Sequence, residues 1–222
     1  PTPRFTDVPE INLPITPSNV AALKELESMA LTGLAEMGWS DDGEIFAIAG
    51  ENGFQAWDVK LSSPFLILEG AEYRNQFSLH PGNHIVAILV GNNHLDQHLE
   101  IWDIDTGEAL TAPSVDQTGC CFYPLWSPKG DTLALAMVNT NIGLYELATG
   151  EMSYLQTDHD NRFREVAWSP DGSKLVTASQ DTTMKIWDYA SRKIIRTIQG
   201  HDILTTISWS PDGRFIAYGN ME

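Results

Sequence analysis

The chain has 222 residues, 30 acidic against 13 basic side chains, a net charge of −17 and 42% hydrophobic residues, enough to bury a core. A surface of that sign repels phosphate backbones, which sets nucleic-acid binding aside. No apolar run approaches the ~18–20 residues of a membrane-spanning helix, and the two cysteines, Cys120 and Cys121, are neighbours that cannot build a disulfide framework.

Residues 1–17 are proline-rich without hydrophobic period, and an extended lead-in is expected there. Ser18 can cap a short helical turn over residues 20–23. A longer amphipathic helix over 19–37 competes with that reading, with Thr32-Gly33 against it, and residues 24–30 can also serve as a leading β-strand.

From Trp39 onward two signatures recur about every 42 residues. One is an aromatic–acid pair, Trp57-Asp58, Trp102-Asp103, Tyr145-Glu146 and Trp187-Asp188, at intervals of 45, 43 and 42. The other runs out of phase with it. Its copies are Trp39-Ser40-Asp41-Asp42-Gly43, Trp126-Ser127-Pro128-Lys129-Gly130, Trp168-Ser169-Pro170-Asp171-Gly172 and Trp209-Ser210-Pro211-Asp212-Gly213. Leu79-His80-Pro81-Gly82-Asn83 is a degenerate copy. Two signatures at one period define an array of like units.

The copy over residues 164–200 shows the unit. Residues 164–169 alternate as a strand, Pro170-Asp171-Gly172 is a turn, and 174–179 form a second strand. Gln180-Asp181-Thr182-Thr183 turns into a third strand over 184–188. Met184, Ile186 and Asp188 share one face of that strand, and Lys185 and Trp187 share the other. Residues 193–198 make a fourth. Four short antiparallel strands per repeat point to sheets packed face to face.

These residues resemble the WD-repeat family of β-propellers over most of the chain, from about Leu31. The resemblance implies an all-β fold, a β-propeller of four-stranded antiparallel blades around a central channel. About four and a half blades are expected, with repeats near 31–70, 71–111, 112–156 and 157–200 and a partial repeat over 201–222, in a propeller domain spanning 18–222. Such rings close with about six to eight blades, so a partial propeller is expected. Similar lead-ins precede the first blade in bacterial-looking relatives.

In that family a His before the first strand, a Ser or Thr on the second, an Asp in the next turn and the third-strand Trp bond in series. Carried over, the fourth copy matches at His159, Ser179, Asp181 and Trp187. The first copy has Ala49, Glu51 and Trp57 at these places and the third has Met137, Asn139 and Tyr145, so apolar packing is expected to replace the chain of bonds. This is a structural network rather than a hydrolytic triad, because the repeat already accounts for each residue.

Candidate partner-binding residues sit in loops on the face shared by the second-to-third-strand turns and the blade-to-blade connections. The second copy carries an insertion over 91–98 with Asn93, His94, Asp96 and His98, and the fourth offers Arg162 and Phe163. On an extended segment His94, Asp96 and His98 would share a side and could hold a metal, but so short a pattern is a weak signal. No catalytic residue, metal site or cofactor is assigned, since no phosphate loop, nucleophile elbow or metalloprotease helix is present. Cys120 and Cys121 read as small buried hydrophobes.

Acidity is concentrated in residues 1–128, with 18 acidic and 4 basic groups against 12 and 9 over 129–222, which would speed encounter with a basic partner. The expectation is a non-catalytic scaffold for protein partners, within a larger regulatory or signalling protein and favoured in the cytoplasm. The alternative is an accessory propeller of an enzyme whose catalytic domain lies outside the chain.

Overall fold

The computed structural model describes residues 34–50, 53–58, 64–70, 76–91, 97–113, 121–137 and 140–221. The lead-in and the elements expected over residues 18–33 lie outside them. Every named element is a β-strand.

Four sheets have four antiparallel strands and a fifth has two, each in sequence order. Blade 1 is β1 (Leu34–Trp39), β2 (Ile45–Gly50), β3 (Gly53–Asp58) and β4 (Pro64–Glu69). Blade 2 is β5 (Phe77–Leu79), β6 (Ile85–Val90), β7 (His98–Asp103) and β8 (Ala109–Leu110). Blade 3 is β9 (Cys121–Trp126), β10 (Thr132–Met137), β11 (Asn141–Glu146) and β12 (Met152–Gln156). Blade 4 is β13 (Phe163–Trp168), β14 (Lys174–Ser179), β15 (Thr183–Asp188) and β16 (Lys193–Gln199), and blade 5 has β17 (Leu204–Trp209) and β18 (Ile216–Asn220). The four and a half blades expected from the repeat are present.

The Trp-Ser-x-x-Gly signature is the chemistry of the inner turn. Ser40, Ser127, Ser169 and Ser210 each donate a hydroxyl to an aspartate, Asp42, Asp131, Asp171 and Asp212, at 2.5–2.6 Å. Each also accepts the amide five residues on, from Ile45, Thr132, Lys174 and Phe215, at 2.9–3.3 Å. The third copy has Lys129 where the others have aspartate, and recruits Asp131 instead. The glycine that closes the turn sits at φ 68–73°, a left-handed conformation that other residues adopt only at a cost.

Strand alternation gives each blade two apolar faces, and the two differ in size. Ala47 and Ala49 of blade 1 meet Phe77, Val86, Ile88 and Val90 of blade 2. Ala87 and Leu89 of blade 2 meet Trp126, Leu133 and Leu135 of blade 3. Ala134 and Ala136 of blade 3 meet Val166, Trp168 and Leu175 of blade 4, and Val176 and Ala178 of blade 4 meet Leu204 and Ile207 of blade 5. A smaller face receives the larger face of the next blade each time, so the four interfaces are one interface repeated.

Polar straps join neighbouring innermost strands. Glu36 accepts the Phe77 amide at 2.9 Å, Ser78 accepts that of Trp126 at 3.2 Å, and Glu165 accepts that of Ile207 at 2.6 Å. Glu36 and Glu165 each follow a bulge, at Leu34/Glu36 and at Phe163/Glu165, which turns the carboxylate toward the next blade. Burial raises the Glu36 pKa, with the Phe77 amide opposing it.

The larger face of blade 1 is exposed in part, with Ile48 and Trp57 buried on it. Trp39 is 57% exposed, whereas its counterparts Trp126 and Trp168 are 5% and 7% exposed. Met37 and, on the outermost strand, Phe65 and Ile67 are also exposed, and Trp39 packs on Phe46 at 4.8 Å between ring centroids. At the other end, Phe215 just before β18 and Tyr218 within it are exposed.

In blade 2 His80 replaces the turn serine. It is buried, bonds the Gly130 carbonyl at 2.9 Å through Nε2 and packs edge-on against Trp126 at 4.9 Å. A methyl group at Gly130 would overlap this imidazole, while at Gly43 it would meet nothing within 4 Å. Gly43→Ala is expected to cost about 1 kcal/mol from backbone strain alone. Gly130→Ala is expected to cost about 2–4 kcal/mol, because a buried ring must also move. Urea denaturation of the two variants checks the difference.

Candidate functional site

The polar chain of blade 4 forms through a different hydroxyl from the one the sequence suggested. His159 holds Asp181 at 2.7 Å through Nδ1 and Thr177 Oγ1 at 2.8 Å through Nε2, and Trp187 Nε1 donates to the same Thr177 oxygen at 3.2 Å. Thr177 lies directly across from Lys185, which puts it on the Trp187 face near the middle of β14. Ser179, at the strand end, donates to the carbonyls of Asn161 and Arg162 and accepts the Asp181 amide. It pins the blade-to-blade connection and does not join His159 to Trp187.

Burial lowers the pKa of His159 despite Asp181, and Asp181 is itself held low: burial opposes its charge, but the Thr183 hydroxyl and amide and His159 outweigh that. A neutral imidazole that donates from Nδ1 and accepts at Nε2 satisfies both directions. Lys185 is buried beside it, donating to the carbonyls of Thr157 and Asp158.

Strand register places Ile48, Ile88 and Leu135 where blade 4 has Thr177. It also aligns Gly50, not Ala49, with Ser179. The aromatic residues of those blades therefore find other solutions. Trp102 donates to Glu100 at 2.8 Å, Tyr145 donates to the Thr111 carbonyl at 3.0 Å, and Trp57 Nε1 is buried without a partner among the described residues.

The predicted partner-binding residues are only partly in view. Asn93, His94 and Asp96 lie outside the described residues, as does the Phe163 side chain. His98 is exposed at the start of β7, with Nε2 3.1 Å from Glu100, so it continues the Glu100–Trp102 line along one side of the strand. Arg162 is exposed, its amide bonded to Asn161 and its carbonyl accepting from Gln180 and Ser179. These bonds fix its backbone and leave the side chain on the surface.

Two further features lie at the opposite end, where the innermost turns gather. His84 bonds Asp105 at 2.8 Å and faces Asp42 of blade 1 at 3.8 Å, with Glu44 beside it. The Asp105 hydrogen bond, ahead of the other carboxylates, raises the His84 pKa. Ligand atoms of Asp42, Glu44 and His84 lie within 4.8 Å of one another, a set that could hold a divalent ion, and a protonated His84 balances the same charges. The second feature is a cavity of about 440 Å³ at the channel, between the ends of β5, β9, β13 and β17 and reaching Asp41 of blade 1.

Four-stranded sheets stacked face to face, with their first strands toward a shared channel, define a β-propeller. The sequence profile of the anaphase-promoting complex subunit 4 WD40 domain matches residues 124–212. The chain is 25% identical over 143 residues to the U3 small nucleolar RNA-associated protein 21 homolog of Schizosaccharomyces pombe, covering 61% of this chain and 16% of that protein. It is 25% identical over 189 residues to Protein tipD of Dictyostelium discoideum, covering 82% and 30%. It is 30% identical over 147 residues to Nuclear distribution protein PAC1 of Coccidioides posadasii, covering 61% and 31%. The chain is similar to WD-repeat proteins and spans less than a third of the length of these relatives. They are eukaryotic, so the bacterial-looking character expected from the lead-in is not borne out. No helix among the described residues is long and apolar enough to cross a membrane.

Thr177→Val keeps the shape and removes the hydroxyl that His159 Nε2 and Trp187 Nε1 share; it is expected to cost about 2–3 kcal/mol in urea denaturation. Ile88→Val, at the same place in blade 2, is expected to cost about 1 kcal/mol. His84 gives a pH dependence of definite sign. Because its folded pKa is raised, its contribution is full below the unfolded value of about 6.5 and is lost as pH rises through the folded value. The melting-temperature gap between the parent chain and His84→Gln should therefore be larger at about pH 5.5 than at about pH 8.5.

Proposed function

We propose that the chain is a non-catalytic propeller that acts as a rigid platform for a protein partner, within a larger regulatory or signalling protein. The observation that carries this reading is the repeated blade interface, which holds loops from successive blades in one fixed frame. The relatives support a protein-interaction propeller in general terms. In blade 4 the groups of catalytic type, His159 and Asp181, are engaged in the structural chain, as is the Thr177 hydroxyl. The docking residues in this reading are Arg162, Phe163 and His98 with Asn93, His94 and Asp96 of the adjoining loop, and the net charge of −17 favours a basic protein over a nucleic acid. In this reading further blades complete the propeller. A cytoplasmic setting fits a chain without a disulfide framework. No specific observation favours the accessory propeller of an enzyme.

Photo-crosslinking residues placed at 98, at 162 and, for contrast, at the outer position 65 test the platform. Partner adducts should form from 98 and 162, and charge reversal of Arg162 to Glu in the His98-labelled chain should reduce them about tenfold. Adducts from position 65 alone would overturn the assignment of the face.

A further inference from the structure

Four of the five inner turns carry a serine whose hydroxyl bonds within its own hairpin. Blade 2 has His80 in that place, and this imidazole reaches across to the next blade. It is 6% exposed and fits its site in one protonation state only. Nε2 lies 2.9 Å from the Gly130 carbonyl, which can only accept, so Nε2 carries the proton. Nδ1 lies 3.2 Å from the Asn83 amide, which can only donate, so Nδ1 must be bare. His159 differs: its Nε2 faces the Thr177 hydroxyl, a rotor that donates or accepts, and its Nδ1 faces Asp181. A second proton on His80 would set N–H against N–H in a nearly closed site. The charged and titratable groups around it are Asp41 and Asp42 on the blade 1 turn, Lys129 and Asp131 on the blade 3 turn, Tyr123 on β9 and His84 on its own turn. Among the described residues none of them forms a salt bridge with the ring. Burial holds the His80 pKa below the usual histidine value, opposed by the Gly130 carbonyl.

We propose that His80 is an acid-released latch: neutral, it clips the turn ends of blades 2 and 3 together, and protonated, it leaves its site and lets that seam part at the turn end. The seam is otherwise strapped there by a neutral hydroxyl, Ser78 on the Trp126 amide at 3.2 Å, where blades 1–2 and 4–5 have a carboxylate at 2.9 and 2.6 Å. The packing of Ala87 and Leu89 on Leu133 and Leu135 does not titrate, so it keeps the blades joined while the turn end opens. The sign follows from proton uptake on opening. The freed ring has an ordinary pKa of about 6.5, so the latch is fully closed above that value and weakens as pH falls below it. Between pH 7.5 and pH 5.5 closure should weaken about tenfold. The latch is independent of the platform reading and of any partner.

The test is amide hydrogen exchange of the full chain at pH 7.5 and pH 5.5, read by NMR and corrected for the intrinsic pH dependence of exchange. Protection of the Asn83 and Trp126 amides should fall about tenfold at the lower pH. The Ser173 amide, bonded to Asp171 in the blade 4 turn, should keep its protection. His80→Gln retains an acceptor and a donor but cannot titrate, so its protection at Asn83 and Trp126 should not change between the two pH values. Unchanged protection in the parent chain overturns the proposal, as does an equal loss at Ser173 or the same loss in the variant. Should the variant fail to fold, the imidazole nitrogen spectrum of the parent chain decides. His80 with Nδ1 bare at pH 7.5, gaining its proton together with the loss of Asn83 protection, supports the latch. A proton on Nδ1 at pH 7.5, or protonation that leaves Asn83 protected, overturns it.

Discussion

A blade of this protein has two apolar faces and no way to bury either by itself. The rest of the structure follows from that constraint. Each face of a four-stranded sheet carries several aliphatic or aromatic side chains, and full burial of one such side chain contributes about 1.5–3 kcal/mol. The only surface of matching shape is another blade, so the sheets stack smaller face against larger face. Ala134 and Ala136 receiving Trp168 and Leu175 is one case of a contact made four times. Stability then lies in nearest-neighbour interfaces, as in other repeat arrays.

Polar chemistry refines this stack. The Glu36 and Glu165 carboxylates reach across to backbone amides of the next blade at the same place in the repeat, three repeats apart. Within blade 4 a second device links strand, turn and connection through His159. Where Thr177 gives way to Ile48, Ile88 or Leu135, the same place is filled by apolar bulk. Trp57 shows the cost, since its indole N–H is buried and unpaired among the described residues. The indole N–H groups of Trp126 and Trp209 are in the same state, so the array tolerates such groups where the blade interfaces hold.

Much of the fold was legible because it rests on local signals that recur. The serine and glycine of four of the five turns were visible in the sequence, and the structure shows both at work in the hydrogen bonds that close the hairpin. Register was the weak point. Ser179 and Thr177 share a face of β14 and both carry hydroxyls, and only the pairing of Thr177 with Lys185 tells them apart. The clue was present, since Lys185 and Trp187 were already on one face of β15. The carboxylate straps were not legible, because a glutamate in a strand reads as a solvated residue until a bulge turns it toward its neighbour. The channel cavity was hidden for a related reason: its walls come from four blades and a fifth turn, far apart in sequence.

The central claim is that burial between blades sets the stability of each strand. Native-state hydrogen exchange tests it most directly. Amides of β6, β10 and β14, each sandwiched between two neighbouring sheets, should exchange only through global unfolding. Those of β18, on an exposed sheet, should exchange orders of magnitude faster through local opening. Protection of β18 equal to that of β14 would contradict the account, and so would rapid exchange in β6.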